Sequence, residues 1–313
     1  MKLKINKYII FSFIIFGLII FMSFFQYFKE EFSYEKEYYI IKENCYEKKN
    51  VNHKVCNYFN NNDEVLKKYI IENDPNKKIN DLDSITLTCS IIENTLFTIF
   101  QYISPLIIFI AFIGTLQPFF SSGIIKYYLN RENYRDISKR IFKKMIIVSL
   151  ITPLSLLFIY LLSIIITKGN FNYTNEVQTI SVYEPWKYNN FIIYGIIICI
   201  SQFLLNMSYC CIALFSLKKS KNSVVSIFMS YIYFIIVDIA LYIILYVIII
   251  NKTLGFKNLS DYFNIAGYWF CDYGIKSLYY VLISLLLFIL LFSLTIMLYR
   301  KKEDVISLYE NED

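Results

Sequence analysis

The sequence predicts an all-helical membrane protein that crosses the bilayer six times. The chain has 313 residues, of which 57% are hydrophobic and 19% aromatic, and its mean hydropathy is +0.46. This composition is too apolar for a soluble domain. The apolar residues form six runs bounded by charge, each about as long as the roughly 20 residues that a helix needs to cross a hydrocarbon core about 30 Å thick.

The first predicted span, residues 8–28, follows Lys2, Lys4 and Lys7 and leaves the membrane through "FFQYFKEEF". Since no small-residue cleavage site follows, we interpret this span as an uncleaved signal-anchor. Five further spans are predicted. They are residues 91–117, 145–167, 191–217, 223–250 and 278–299. The first of these, span two of the chain, has its apolar core at 94–116.

The distribution of basic residues predicts the orientation, because Lys and Arg are retained on the cytoplasmic side during insertion. With the N-terminus inside, the inner segments 1–7, 118–144, 218–222 and 300–313 hold 3, 7, 3 and 3 basic residues, and the short outer loops 168–190 and 251–277 hold 2 and 3. A long segment such as 29–90 translocates largely regardless of charge. We therefore predict a multi-pass protein of the plasma membrane, with both termini cytoplasmic and residues 29–90 as a small external domain.

The largest inner segment contains "SSGIIKYYLNRENYRDISKRIFKK", residues 121–144. Its residue spacing predicts an amphipathic helix at the inner membrane surface between spans two and three. The apolar face holds Tyr127, Tyr134, Ile137 and Ile141, and a separate basic row holds Arg131, Arg135 and Lys139. Such a helix can simply anchor the chain to acidic lipid headgroups.

The stretch "FSSGIIKYYLNRENYRDISKRI", followed by a span containing Pro153 and then by "TKGNFNY", resembles the permease subunits of ABC-2-type transporters from low-GC Gram-positive bacteria. The residues that carry the resemblance are Ser122, Gly123, Lys126, Leu129, Arg131 and Tyr134. The order of six spans, with a large external insertion after the first, is also similar to these permeases.

The resemblance implies that the 118–144 segment docks on a separate cytoplasmic ATPase subunit. The docking residues would be Lys126, Arg131, Tyr134, Arg135 and Lys139. It also implies a homodimer or a heterodimer with a similar permease, an external amphipathic segment at 251–277, and export of a peptide, a lipid or a drug-like molecule. Membrane lipids are expected to surround the chain whether the 118–144 segment anchors it to headgroups or docks on an ATPase.

The sequence contains no G-x-x-x-x-G-K-[ST] phosphate cradle, no H-E-x-x-H and no G-x-S-x-G. We therefore predict that the chain is not an enzyme, and that any ATP hydrolysis occurs in a partner. No cofactor, no metal and no nucleic-acid partner is predicted.

Polar residues inside the spans are the remaining candidates for function. Asp238 lies near the middle of span five, where a carboxylate costs at least about 2.5 kcal/mol on insertion scales, and Tyr231 and Tyr242 share its helix face. Gln202 and Asn206 form a second polar pair in span four. These five residues either line a translocation path or hold helices together by hydrogen bonds.

Four of the seven cysteines fall in predicted external segments. Cys45 and Cys56 are the preferred disulfide pair, although spacing does not determine connectivity. His53 lies between them, and one histidine with two cysteines makes a poor zinc site.

Two other functions stay open at this point. A membrane receptor, sensor or immunity protein would bind a ligand through residues 29–90 and transport nothing. An ion or proton channel would use Asp238, but a channel favours a polar lining repeated over several spans, which the sequence lacks.

Overall fold

Helices account for nearly all of the chain that can be described. The computed structural model describes residues 7–46, 84–93, 95–121, 134–171, 191–220, 222–240 and 277–299. In these residues the helices are α1 (Lys7–Tyr46), α2 (Ser84–Glu93), α3 (Thr95–Ser121), α4 (Tyr134–Ser149), α5 (Ile151–Ile166), α6 (Phe191–Lys219), α7 (Ser223–Ala240) and α8 (Ser277–Leu298). A helix satisfies its backbone polar groups internally, as a membrane interior requires. The predicted all-helical class is confirmed for this part of the chain.

Five helical segments in the described residues are long and apolar enough to cross a membrane. They are Lys7–Lys29, Tyr134–Ile166, Phe191–Lys219, Ser223–Ala240 and Val281–Leu298. The chain is therefore a multi-pass helical membrane protein. Within α3 the described apolar stretch, Tyr102–Leu116, is shorter, so the count of six spans stays a prediction.

Helix α1 continues well beyond its membrane-spanning part. It has 40 residues, which at 1.5 Å per residue gives a length of about 60 Å, twice the thickness of a hydrocarbon core. The charged stretch after Lys29 therefore extends the first span as one helix.

Helix α2 lies where the sequence predicted the end of the external segment. Ile85, Leu87 and Ile91 are buried, and α2 packs against α1, α3 and α5. Residues 84–90, which the sequence assigned to the external segment, therefore pack in the helical bundle; the boundary at residue 90 stays a prediction.

Ser84 joins the start of α2 to the end of α5. Helix α5 ends in a turn with positive φ at Lys168 (53°) and Gly169 (73°), where the Gly169 N–H donates to the Ile164 carbonyl at 2.8 Å. This left-handed ending presents the Asn170 carbonyl to the Ser84 N–H at 2.8 Å and to Ser84 Oγ at 3.0 Å.

We expect Ser84→Ala to lower the free energy of unfolding by about 1–3 kcal/mol, because buried hydrogen-bonding groups lose a partner. Ser84 is fully buried, and its Oγ also lies 2.5 Å from Thr167 Oγ1. Thermal unfolding of the purified protein measures the effect. Ser293→Ala is the control, since the exposed Ser293 hydroxyl bonds within its own helix; equal midpoints for the two variants would contradict the expectation.

Helix α6 is the centre of the bundle, in contact with α3, α4, α5, α7 and α8. Small side chains allow these close approaches. Two serine pairs join α6 to its neighbours: Ser201 and Ser284 on α8 are 2.8 Å apart, and Ser230 on α7 donates to Ser216 at 2.9 Å.

Contacts between helix ends place the beginning of α1 and the end of α8 at the same end of the bundle. Tyr8 packs on Gly114 near the end of α3. The Lys144 amine donates to the Thr115 carbonyl at 3.2 Å, and Tyr134 at the start of α4 donates to the Tyr299 carbonyl. The described basic residues of this end, hereafter the basic end, are Lys7, Arg135, Lys139, Arg140, Lys143, Lys144, Lys218 and Lys219.

The outward faces of α1, α7 and α8 are apolar. Phe21, Phe228 and Leu286 are 68%, 62% and 65% exposed, and many similar residues surround them. Large apolar side chains exposed over whole helix faces are expected of a surface that contacts lipid.

Candidate functional site

The basic helix α4 has the two faces that the sequence predicts. Ile137 is 1% exposed, and Tyr134 and Ile141 pack against the bundle core. Arg135 and Lys139 are exposed on the other side.

Among the described residues, the exposed Arg135 and Lys139 of α4 face a single nearby carboxylate, that of Asp136. Lys139 lies 3.4 Å from Asp136, but both side chains are more than half exposed, so this ion pair is weak. Lys126 and Arg131 lie outside the described residues, and their docking role stays a prediction.

Helix α4 is continuous with α5, so the predicted boundary between residues 144 and 145 falls inside a helix. Leu150 lies between the two helices in a helical conformation. Its N–H donates to the Ile146 carbonyl at 3.2 Å, and its carbonyl accepts from the Leu154 N–H at 3.0 Å. The sequence contains no helix-breaking residue at 144 or 145. A displacement of the basic helix would therefore pass directly into α5.

A junction of α4, α6 and α8 lies at the basic end. The Tyr134 hydroxyl donates to the Tyr299 carbonyl, and the Tyr299 hydroxyl donates to the Leu214 carbonyl of α6 at 2.7 Å. Lys218 donates to the Leu298 carbonyl at 2.8 Å and lies 5.7 Å from the centre of the Tyr299 ring. The carbonyls that end α8 thus gain donors and a positive charge.

The junction changes the interpretation of Tyr134. The sequence grouped Tyr134 with the docking residues, whereas its hydroxyl turns inward to α8. Sequence reasoning missed Lys144 and Lys218 because their acceptors are backbone carbonyls on distant helices. The sequence offered one indication of a role for Lys144 and Lys218, namely that each lies at the end of an apolar run.

Asp238 lies on the packed side of α7. Ser226, Ser230 and Phe234 are the buried residues of this helix, and Asp238 continues their row at a spacing of four. It is half-buried and acts electrostatically on the buried Tyr209 hydroxyl of α6. The predicted neighbour Tyr242 lies outside the described residues.

Aromatic rings connect this part of α7 to α3 and α6. The Tyr209 ring lies 5.3 Å from Phe234 and 6.1 Å from Phe109. Tyr231 lies 6.0 Å from Phe234 and donates its hydroxyl to the Tyr102 carbonyl at 3.1 Å. Tyr231 therefore holds α7 against α3.

Gln202 and Asn206 lie inside the bundle, 0% and 1% exposed. Asn206 Nδ2 donates to the Ser149 carbonyl at the end of α4 at 3.1 Å, so Asn206 faces the continuous α4–α5 helix. The Asp238 row instead faces α3 and α6. Of the four predicted path residues that the structure describes, Gln202 and Asn206 thus lie on α6 and Tyr231 and Asp238 on the packed side of α7; their role in a path stays a prediction.

Within the described residues, no group of three or more His, Cys, Asp and Glu side chains is placed to hold a metal. Cys210 and Cys211 are buried free thiols in α6, and Cys210 lies 3.8 Å from the Ser149 hydroxyl. Cys45 lies near the end of α1 and Cys56 lies outside the described residues; their disulfide stays a prediction.

Comparisons with protein-family models, with curated proteins and with solved structures find no match for the chain. The resemblance to ABC-2 permeases therefore stays a prediction, based on the quoted residues of 120–141 and on the order of the spans.

Proposed function

We propose that the chain is the membrane subunit of an ABC-type exporter and that a separate ATPase docks on its basic end. The observation that carries this proposal is the construction of α4. Arg135 and Lys139 are exposed on one face, while Ile137 and Tyr134 attach the other face to the bundle. A charged surface on a firmly held helix suits a partner that transmits force.

Two covalent or hydrogen-bonded routes lead from α4 into the bundle. The first is the backbone of α4 and α5, which continues through Leu150. The second is the junction of Tyr134, Tyr299 and Lys218. In the proposed mechanism, movement of the docked ATPase reaches α5 through the first route and α6 and α8 through the second.

The proposed substrate is a peptide, a lipid or a drug-like molecule, and the complete exporter contains a second permease copy or a similar permease. Asp238 and Tyr231 are proposed to face the path in the moving state, because both occupy the packed side of α7. The basic end is proposed to face the cytoplasm, as the retention of basic residues favours.

The decisive variant is the double charge reversal Arg135→Glu with Lys139→Glu. We expect ATP hydrolysis that co-purifies with the chain to fall about tenfold or more, because like charges placed across an interface cost several kcal/mol. The measurement is vanadate-sensitive ATP hydrolysis that co-purifies with the chain from its native membranes.

The matched control is Lys29→Glu, since Lys29 is exposed on the opposite end of the span formed by α1. Membrane insertion and thermal stability of all variants should equal those of the unmodified chain. Undiminished ATPase recovery with the double variant would exclude docking through this face of α4.

A receptor or sensor is the second candidate, and the length of α1 favours it. A helix that runs without interruption from Lys7 to Tyr46 rigidly connects the region beyond the membrane to the bundle. In this case the basic end contacts acidic headgroups, and the purified chain carries no vanadate-sensitive ATP hydrolysis.

A further inference from the structure

Pro153 leaves one backbone carbonyl in the middle of the bundle without its usual helical hydrogen-bond donor. Proline has no N–H, so it cannot donate to the carbonyl four residues earlier in its helix. That carbonyl belongs to Ser149, and Asn206 of α6 donates to it at 3.1 Å. Asn206 therefore replaces the hydrogen bond that Pro153 removes.

A second amide lies one helical turn from Asn206 and has no such partner. Gln202 is 0% exposed, and neither Oε1 nor Nε2 has a hydrogen-bond partner among the described residues. Thr152 is also 0% exposed, and its Oγ1 has no hydrogen-bond partner among the described residues. Two unpartnered polar side chains are thus buried beside the proline.

Two contacts of α6 place Gln202 opposite the helical turn that carries Thr152. Cys199 donates to the Pro153 carbonyl at 3.8 Å, and Asn206 donates to the Ser149 carbonyl. Residues 199, 202 and 206 follow one stripe of α6, because three and four residues are each close to one helical turn. Gln202 therefore lies on the stripe that packs against residues 149–153.

The chemistry of the unpartnered atoms defines the ligand. Gln202 needs an acceptor for its Nε2 hydrogens and a donor for its Oε1, and the Thr152 hydroxyl can use either. A cation would satisfy only the oxygens, and an anion would satisfy the hydrogens of the amide and the hydroxyl but leave Gln202 Oε1 without a donor. Water supplies both functions, and a buried water typically makes about three hydrogen bonds to such groups.

We propose that an ordered water molecule binds between α5 and α6 beside Pro153, bridging the Gln202 amide and the Thr152 hydroxyl. In a membrane interior an unsatisfied polar group costs several kcal/mol, and a bound water removes that cost for three polar atoms at once. The site lies near the middle of α6 and of the continuous α4–α5 helix. The proposal does not depend on the exporter function.

The test compares Gln202→Leu and Thr152→Val with the unmodified protein by thermal unfolding in detergent. If water bridges the two side chains, each substitution removes one of the two groups that hold the water and leaves it with fewer hydrogen bonds, and we expect Tm to fall by about 2–4 °C. If the side chains are simply unpaired, apolar replacements of similar shape are neutral or stabilising. An unchanged or raised Tm for both variants would overturn the proposal.

Two further variants calibrate the measurement. Asn206→Leu removes a known donor and should lower Tm. Ser163→Ala removes a buried hydroxyl that has no partner among the described residues but lies about three turns from Pro153, and should leave Tm unchanged or raise it.

A cryo-EM map that resolves ordered water gives the direct observation. We expect one density peak at 2.7–3.2 Å from a polar atom of Gln202, and its loss in Gln202→Leu. Continuous apolar packing without a peak, or a peak coordinated only by oxygens at metal-ligand distances, would reject the water site.

Discussion

Gly114→Leu is expected to separate α1 from α3 and to lower the free energy of unfolding by about 3 kcal/mol or more. A Cβ atom added at Gly114 would lie 2.7–2.9 Å from Cγ, Cδ2 and Cδ1 of Tyr8. These are atoms at the root and flank of a ring, so a small rotation of the side chain cannot clear them. The two helices must move apart, although α1 makes its most extensive contacts with α3.

Gly17→Leu is the matched control for this prediction. Gly17 is also a helical glycine, in α1, but a Cβ atom there has no neighbour within 4 Å. Its replacement should be neutral or slightly stabilising, because a helical glycine costs about 0.5–1 kcal/mol relative to alanine. Chemical or thermal unfolding in detergent gives both values.

A reciprocal change at Tyr8 tests the cause. Adding Tyr8→Ala to Gly114→Leu should recover part of the lost stability, because it removes the ring that the new side chain meets. Equal stability of Gly114→Leu and Gly17→Leu would show that α1 and α3 do not pack at this glycine.

The sequence was sufficient to predict the long helices, because the thickness of a bilayer limits their length. The predicted start of the fourth span at 191 coincides with the start of α6 at Phe191, and α7 begins at Ser223 as predicted. Charged residues flank both runs. Because a charged side chain is costly inside the membrane, the apolar run between two charges marks the extent of the helix that crosses it.

Helix α2 could not be predicted from the same signal. With 10 residues it is too short to span a membrane, and its position depends on the bond between Ser84 and Asn170. Those residues are 86 positions apart. No local pattern identifies a bond between such distant residues.

The continuity of α4 and α5 was missed for a different reason. The abrupt change from basic to apolar sequence after Lys144 suggested two separate elements, one on the membrane surface and one across it. The backbone has no reason to break there, since neither glycine nor proline intervenes. Because Pro153 has no N–H, the Ser149 carbonyl lacks its helical donor, but only the packing of α6 identifies Asn206 as the replacement.

Tyr134→Phe combined with Lys218→Met is expected to detach the end of α8 from α4 and α6. The first change removes the hydroxyl that donates to the Tyr299 carbonyl. The second removes the ammonium that donates to the Leu298 carbonyl. One neutral and one charge-assisted hydrogen bond together contribute about 2–4 kcal/mol. Hydrogen exchange of the amides in the last turn of α8, followed by mass spectrometry, measures the loosening.

Tyr233→Phe with Lys219→Met makes the same chemical changes at neighbouring positions and serves as the control. Lys219 is exposed and lies 5.6 Å from the centre of the Tyr233 ring, and no hydrogen bond from Lys219 to the end of α8 is present in the described residues. Faster amide exchange in the first double variant, but not in the control, would show that the hydrogen bonds of Tyr134 and Lys218 hold the end of α8 in place. If an ATPase docks through Arg135 and Lys139, it should remain bound to that variant, because both docking side chains are unchanged. Equal exchange in the two double variants would mean that the end of α8 is held by apolar contacts such as that between Phe142 and Phe292.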